Sequence, residues 1–270
     1  MSLITIAGLG PGAPGLRTLE TAAAIDAANV IVLRTAIHPG IEDLVGDNRV
    51  VACDDLYETA RTFDDVYASI AARIIEIAET SDLLYLTPGH PFYGERVTPL
   101  ILATARERGH DCAVLSAVSA YDVIATALSR DLMISEPQSI DATTLAHLLE
   151  QEPFAAGMLD LAPTRPVLVT QVLSPEMAAA TKLSLASIFP DDHEVVVLRS
   201  AGLDVQVIER LPLHRLDRSE VDHLTTVWVD PLDSLANAVV VVADRRPSPS
   251  PRWLPVGSRA DIRIAPAVAS

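Results

Sequence analysis

Side chains that could do chemistry gather in one short segment, Pro88-Gly-His-Pro-Phe-Tyr-Gly94. The apolar residues 83–86 directly before it are typical of a buried strand, and its prolines and glycine forbid both strand pairing and helix. Within the segment, His90 and Tyr93 carry groups that could contact a ligand or move a proton. Open α/β sheets bind ligands at the carboxyl ends of their strands. The segment therefore predicts a small-molecule site.

A second loop of the same kind lies near the amino terminus. Residues 3–7 alternate like a strand, and Gly8-Leu-Gly-Pro-Gly-Ala-Pro-Gly15 follows them. Gly8, Gly10 and Ala13 fit the dinucleotide fingerprint, and Arg34 ends the next strand, where a 2′-phosphate would bind. Pro14, however, occupies a position where the crossover helix should already have begun. A nicotinamide-dinucleotide oxidoreductase and a purely structural turn both stay open as alternatives.

Composition excludes several classes of function. Acidic residues outnumber basic ones by 36 to 20, and a net charge of −16 opposes a phosphate backbone, so we expect no nucleic-acid partner. No apolar run approaches the roughly 20 residues of a membrane helix, and no signal segment opens the chain, so we expect a cytoplasmic protein with no membrane partner. His90 has no ligand companions nearby, and the pair Glu76-x-x-Glu79 has no acidic motif after it, so we predict no metal site.

Strands and helices alternate through the first part of the chain. We predict strands at 3–7, 30–33, 50–52, 83–86 and 112–115, with helices at 19–28, 63–78 and 97–108. Such alternation indicates a parallel sheet that helices cover on both faces. A further helix at 121–128 follows the small residues Ser116-Ala-Val-Ser-Ala120, which would let a ligand approach the backbone.

The second part of the chain has a different pattern. A helix is predicted at 143–150, a strand at 167–172, a helix from Pro175 to about Ile188, and then three strands at 194–198, 205–210 and 224–229 with little helix between them. We therefore expect an α/β protein of two domains, a parallel-sheet domain at 1–116 and an α+β domain with a mixed or antiparallel sheet at 117–232. Residues 233–270, which include a Ser-Pro run, have the composition of a linker or tail that leads to a further domain.

Taken together, the spaced loops resemble the tetrapyrrole (corrin/porphyrin) methyltransferases, the class III fold of S-adenosylmethionine enzymes. The resemblance is carried by Gly8-Leu-Gly-Pro-Gly12, Pro88–Gly94, Ser116–Ala120 and Gln171-Val172, and it covers about residues 1–232. Residues 34–39, 85–91 and 222–226 look like the methylase-like domain that is fused ahead of MazG-type nucleoside triphosphate pyrophosphohydrolases. In many relatives an aspartate stands where His90 stands here.

The resemblance implies that S-adenosylmethionine binds in a cleft between the two domains. Carried over by position, the implied cofactor-binding residues are Gly10, Pro11, Gly89, His90, Tyr93, Ser119, Ala120, Val172, Ala201 and Thr226. His90 and Tyr93 are also the catalytic candidates. The basic residues next to the predicted loops would bind the acceptor, which by resemblance is tetrapyrrole-like: Arg17, Arg34, His38 and Arg96.

The implied activity is methyl transfer to a small-molecule acceptor by a homodimer. In-line transfer from a sulfonium depends mainly on alignment in a dry cleft, so it needs no metal and no obligate base when the acceptor atom is carbon. An alternative of another class is a non-catalytic, S-adenosylmethionine-binding regulatory module of a fused MazG-type pyrophosphohydrolase. Pyrophosphohydrolase activity in this chain itself is a weaker alternative, resting on Glu76 and Glu79.

Overall fold

The computed structural model describes residues 2–151 and 160–232. The predicted linker or tail at 233–270 lies outside the described residues. No helix in the described part is long and apolar enough to cross a membrane. The chain forms two five-stranded sheets, one from each part of the sequence.

The first sheet is entirely parallel and has the strand order β3-β2-β4-β1-β5. Its strands are β1 (Leu3–Gly8), β2 (Ile31–Leu33), β3 (Val50–Ala52), β4 (Leu83–Thr87) and β5 (Asp111–Val114). The central strand β4 is buried along its whole length, as expected for a parallel sheet covered on both faces. Leu83 and Tyr85 enter one apolar cluster, while Leu84 and Leu86 enter the cluster on the opposite face.

Helices cover both faces of this sheet. They are α1 (Leu19–Ala27), α2 (Asp55–Thr59), α3 (Phe63–Ala78) and α4 (Val97–Arg108). The Thr18 hydroxyl caps α1 by accepting the amide of Thr21, and the Thr62 hydroxyl caps α3 in the same way. Gly109 ends α4 in the left-handed conformation that favours glycine. α3 packs against α4, and Ile70, Ile74 and Ile101 are fully buried between the helices and the sheet.

The second sheet is mixed and has the strand order β6-β7-β10-β8-β9. Its strands are β6 (Gln138–Asp141), β7 (Val167–Thr170), β8 (Glu194–Arg199), β9 (Val207–Pro212) and β10 (Thr225–Val229). Only β6 and β7 are parallel, and the other pairs are antiparallel. This arrangement confirms the predicted fold class, a parallel sheet followed by a mixed α+β part.

The second sheet is also covered on two faces. Its helices are α5 (Ala120–Leu128), α6 (Leu132–Ser135), α7 (Ala142–Gln151) and α8 (Pro175–Leu185). Ile124 of α5 packs on one face against Trp228, while Leu145 of α7 and Leu185 of α8 pack on the other. The strand β6 and the helices α2 and α6 were not predicted from the sequence. A domain division between residues 116 and 117 stays a prediction.

Candidate functional site

A cleft of about 590 Å³ lies between the two sheets. The first sheet contributes the loops that follow β1, β2 and β4, and the second contributes α5 and the segments that follow β7 and β8 or precede and begin β10. These are strand ends, where backbone groups are free to meet a ligand. The volume is typical of a small-molecule site.

The glycine-rich loops after β1 and β4 are joined to each other. The Gly10 amide donates to the Gly89 carbonyl at 3.2 Å, and the Gly89 amide donates back to Gly10 at 2.8 Å. Both residues have positive φ, which glycine adopts at no steric cost. A Cβ on Gly8 would lie 2.1 Å from the Gly89 carbonyl oxygen. The two predicted loops are therefore joined side by side at the edge of the cleft, and Pro11 and Gly89 line the cleft there.

Tyr93 lines the cleft, whereas His90 does not. The Tyr93 ring meets the edge of Tyr121 on α5 at 4.9 Å between centroids. Burial, together with Tyr121 and Asp141, raises the pKa of Tyr93 well above its usual value. Tyr93 therefore stays protonated at neutral pH and can donate a hydrogen bond but cannot act as a base. The ring of His90 is turned toward its own loop, where Nδ1 accepts the Phe92 amide at 3.0 Å.

The start of α5 forms another part of the lining. Ser119 donates both its amide and its hydroxyl to the Asp122 carboxylate, at 2.8 and 2.7 Å, and the Asp122 amide donates to the Ser119 carbonyl at 3.3 Å, so these bonds fix the first turn of the helix. Ala120 and Val123 face the cleft from that turn, while Ser119 lies behind it. Of the predicted pair Ser119 and Ala120, the structure therefore brings Ala120 into the cleft.

The second sheet closes the other side of the cleft. Gln171 holds a strained backbone with φ of 59°, and its side-chain amide donates to the Gly94 carbonyl at 3.3 Å. This hydrogen bond joins the second sheet to the loop after β4. Val172 is fully buried in the core of the second sheet and does not line the cleft, although Gln171 and Leu173 on either side of it do. Ala201 and Thr226 line it as predicted.

Arg34 and Glu95 form an ion pair at the floor of the cleft. Arg34 Nε lies 3.1 Å from Glu95 Oε2, and the two side chains are only 18% and 3% exposed. Glu95 also accepts hydrogen bonds from the Thr87 hydroxyl and the Val97 amide. The carboxylate thus joins the ends of β2 and β4 to the start of α4. The sequence analysis gave Glu95 no role, although it follows directly on the predicted loop.

The other basic residues predicted near the cleft are placed differently from Arg34. Arg17 is held by Asp43 at 2.7 Å and by the Gly40 carbonyl at 2.6 Å, and Arg96 lies on the surface 3.8 Å from Asp64. Neither lines the cleft.

His38 does line the cleft, together with the exposed His223 from the second sheet. His38 is 9% exposed, and its Nδ1 is buried without a hydrogen-bond partner in the described structure. Burial lowers its pKa to about 4, and the neighbouring His223 and Arg17 act in the same direction, while the Gly10 backbone and Glu42 oppose them. The ring is therefore neutral at pH 7, and its unpartnered Nδ1 is buried.

One end of the cleft is formed by side chains that the sequence analysis did not single out. Tyr57 and Glu58 from α2, and Phe63 and Tyr67 around the start of α3, line this end. Asp54 lies beside them and accepts the hydroxyl of Thr35 at 2.6 Å and the amide of Ala36 at 2.7 Å. The helix predicted at 63–78 includes Phe63 and Tyr67, but the sequence could not show that these side chains reach the cleft. Among the described residues, no group of three or more histidine, cysteine or acidic side chains could hold a metal ion.

Solved structures show the same fold. A uroporphyrin-III-C-methyltransferase from Thermus thermophilus superposes with a TM-score of 0.63 and 18% identity, over 88% of this chain and 99% of that one. The methyltransferase CobJ gives a TM-score of 0.59 at 18% identity, over 86% and 95% of the two chains. A diphthine synthase gives 0.58 at 15% identity, over 89% and 95%. At such identities the likeness concerns the fold alone.

Sequence comparison identifies the family. An uncharacterized protein of Bacillus subtilis (strain 168), YabN, is 32% identical over 231 residues, which are 85% of this chain but only 45% of that protein. The chain thus spans less than half the length of this relative. The family model of Tetrapyrrole (Corrin/Porphyrin) Methylases matches residues 3–217, and this match displaces the dinucleotide-dependent oxidoreductase as an interpretation of the first loop. The chain belongs to the tetrapyrrole methylase family, whose members are methyltransferases that use S-adenosylmethionine.

Proposed function

We propose that this chain binds S-adenosylmethionine in the cleft between its two sheets and transfers the methyl group to a small-molecule acceptor. The observation that carries the proposal is the paired backbone bridge between Gly10 and Gly89, which sets both glycine-rich loops of a family member at the edge of one cleft. The bound cofactor supplies a methyl group on a positively charged sulfur, and transfer leaves the electron pair of the broken bond on sulfur.

The lining suits S-adenosylmethionine, which carries a positively charged sulfur and a flat adenine ring. The lining contains three carboxylates, Asp54, Glu58 and Glu95, but one arginine, and so it carries more negative than positive charge. Tyr93 adds an aromatic ring that can attract a cation. The Gly89 carbonyl, which accepts the Gly10 amide, can accept a second hydrogen bond from a ligand. The residues that would hold the cofactor are Pro11, Gly89, Tyr93, Ala120, Ala201 and Thr226. Gly10 would act through its bridge to Gly89, Ser119 through the cap of α5 and Val172 through the strand end it fixes.

The contribution of the chain to methyl transfer would be alignment rather than proton transfer. Tyr93 stays protonated and can orient an oxygen or nitrogen of either ligand by donating a hydrogen bond. His90 serves its own loop by accepting the Phe92 amide, which supports a positioning role for it. Closing the cleft around the reactants would exclude water. A nitrogen or oxygen acceptor would lose a proton on methylation, and an exposed carboxylate such as Glu58 would accept it.

Titration calorimetry with S-adenosylhomocysteine tests the proposal. We expect the wild-type chain to bind this product, and Ala201→Trp, which fills the cleft, to lose binding. Ala23→Trp on the exposed side of α1 is the matched control and should bind like the wild type. Absence of binding at millimolar concentration, or equal binding by Ala201→Trp, would contradict the proposal.

A regulatory role is the second candidate function. The chain spans 45% of the length of YabN, so that relative has room for a further domain. A module that binds S-adenosylmethionine and regulates a fused MazG-type pyrophosphohydrolase would bind the cofactor without turnover. The homodimer and the cytoplasmic location are likewise proposals that rest on the resemblance and the composition. Transfer of an isotope label from S-adenosylmethionine to an acceptor distinguishes catalysis from binding without turnover. Sedimentation of the purified chain tests the homodimer.

A further inference from the structure

The end of the cleft nearest α2 and α3 is unusually aromatic for this chain. Only 4% of its residues are aromatic, yet Tyr57, Phe63 and Tyr67 all line this end. The rings of Phe63 and Tyr67 are stacked, with centroids 6.2 Å apart and planes 18° from parallel. Of the other three tyrosines, Tyr93 lines the cleft and packs against Tyr121, whereas Tyr85 is buried in the core of the first sheet. Such a concentration of rings favours a flat ligand.

One guanidinium lies among these rings. The central carbon of Arg34 is 5.5 Å from the centroid of Tyr67. Its Nε lies 3.1 Å from Glu95 Oε2 without making a hydrogen bond, and no hydrogen bond joins its terminal nitrogens to a residue of the described part of the chain. A guanidinium with two free, parallel donors matches a carboxylate or a phosphate, which it can bind with two hydrogen bonds.

The rest of the lining opposes a second anion. Asp54, Glu58 and Glu95 all face the cleft, so one arginine is matched with three carboxylates. Buried His38 is neutral at pH 7, and so it adds no positive charge. Each further carboxylate of a ligand would meet repulsion without a cationic partner.

We propose that the methyl acceptor is a flat aromatic or heteroaromatic molecule with one anionic group, rather than a tetrapyrrole with many carboxylates. Its ring lies against Tyr57, Phe63 and Tyr67, and its anionic group binds the free donors of Arg34. The proposal rests on the proposed function, because it assigns the part of the cleft that S-adenosylmethionine would leave open. The fold does not argue against it, since a diphthine synthase shares this fold with the uroporphyrin-III-C-methyltransferase.

Three probes test this assignment on protein saturated with S-adenosylhomocysteine. They are quinoline-2-carboxylate, which has one anionic group; quinoline, which has none; and uroporphyrin III, which has many carboxylates. We expect quinoline-2-carboxylate to bind about tenfold or more tightly than quinoline, the gain of one charge-assisted contact. Uroporphyrin III should bind more weakly than quinoline-2-carboxylate. Tighter binding of uroporphyrin III, or equal binding of the two quinolines, would overturn the assignment.

Variants locate the anionic contact. Arg34→Gln should remove the preference for quinoline-2-carboxylate, and Glu58→Gln should retain or strengthen it. Arg210→Gln, which breaks an exposed ion pair with Glu194 on the second sheet, is the control and should change nothing. Because Arg34→Gln leaves buried Glu95 without its counter-charge, the double variant Arg34→Gln/Glu95→Gln is measured as well.

Binding of S-adenosylhomocysteine distinguishes failure of the acceptor assignment from failure of the proposed function. If the wild type binds this product but shows no preference for the single anion, only the acceptor assignment fails. If the wild type does not bind the product, the proposed function fails and the acceptor assignment fails with it. A variant that binds the product normally is folded, so its loss of preference can be assigned to the missing side chain.

Discussion

At the scale of single residues, the carboxylate of Glu95 holds together three elements of the cleft floor. It receives hydrogen bonds from Thr87 and Val97 and an ion pair from Arg34. In Glu95→Gln the amide can keep some of the hydrogen bonds, but the buried guanidinium loses its counter-charge. We expect the free energy of unfolding to fall by about 3 kcal/mol, because breaking a buried pair leaves one charge uncompensated. Urea denaturation measures the change.

An exposed ion pair provides the control for Glu95. Asp55 accepts two hydrogen bonds from Arg73, and the aspartate is 61% exposed. Asp55→Asn should therefore cost about 1 kcal/mol or less. Equal losses in the two variants would show that burial of the Arg34–Glu95 pair does not add to its contribution.

His38 gives a prediction for the dependence of stability on pH. Its folded-state pKa of about 4 lies below the ordinary value of 6.5. As pH falls below 6.5, His38 becomes protonated in the unfolded chain while it stays neutral in the folded protein. Its contribution to stability is therefore complete above pH 6.5 and is lost as pH falls through 4. The full loss is about 3 kcal/mol. In His38→Gln, the decrease in unfolding free energy between pH 6.5 and 4 should be smaller than in the wild type by about this amount.

His214 is the matched control for this measurement. It is exposed, and its ring contacts only the Asp191 carbonyl among the hydrogen bonds of the described structure. His214→Gln should keep the pH dependence of the wild type, because an exposed side chain has nearly the same surroundings in the folded and unfolded chains. A wild-type slope in His38→Gln would show that His38 is not the group responsible.

Some site residues could be predicted from sequence and others could not. The loops that hold Pro11, Gly89 and Tyr93 could be predicted because glycine and proline interrupt strand patterns and thereby mark loops at strand ends, and the family resemblance then assigned the individual residues. Arg17 and Arg96 were adjacent to those loops in sequence, yet Asp43 holds Arg17 outside the cleft and Arg96 lies on the surface. Which partner a long side chain selects depends on tertiary distances that local sequence does not contain.

At the scale of elements, the last residue of β1, where the glycine-rich loop begins, can tolerate no side chain. A Cβ on Gly8 would be 2.1 Å from the Gly89 carbonyl and 2.6 Å from the Ala117 side chain. Because one neighbour is backbone, Gly8→Ala must push the loops after β1 and β4 apart. We expect a loss of about 1–3 kcal/mol in unfolding free energy, together with weaker binding of S-adenosylhomocysteine.

Gly15, in the same loop, is the control. A Cβ there has nothing within 4 Å, and its φ is not in the left-handed region. Gly15→Ala should be neutral or stabilise the protein by roughly 0.4–1 kcal/mol, through the smaller entropy of the unfolded chain. Urea denaturation and calorimetry on both variants check the pair. If Gly8→Ala behaves like Gly15→Ala, the close approach of the two loops is not maintained in solution.

The elements that sequence missed are short or polar. α2 spans only Asp55–Thr59, too few residues to show a helical period, and β6, Gln138–Asp141, has no alternating apolar pattern. By contrast, α3 and α4 have the predicted bounds of 63–78 and 97–108. The long apolar face of α3 and the glycine that ends α4, Gly109, carried this information in the local sequence.

At the scale of the whole molecule, the cleft depends on contacts between distant parts of the chain. Gly10 bonds to Gly89, and Gln171 bonds to Gly94, so three strand ends from two sheets meet at one place. Periodicity predicted the two kinds of sheet, but it could not give the strand order or the pairing of these loops. The cleft was predicted instead from the resemblance to a family, because such a resemblance carries information about a whole fold rather than about local sequence.

Hydrogen exchange tests whether a ligand engages both sheets at once. If S-adenosylhomocysteine binds between them, its saturation should slow amide exchange in residues 88–94 of the first sheet and in residues 200–203 and 223–226 of the second. Where exchange requires the cleft to open, a ligand at 100 times its dissociation constant slows it by up to about 100-fold. Peptides from the outer strand β9, Val207–Pro212, which does not line the cleft, should exchange at the same rate with and without ligand. Protection confined to one sheet would show that the ligand binds a single domain and would contradict a site formed between them.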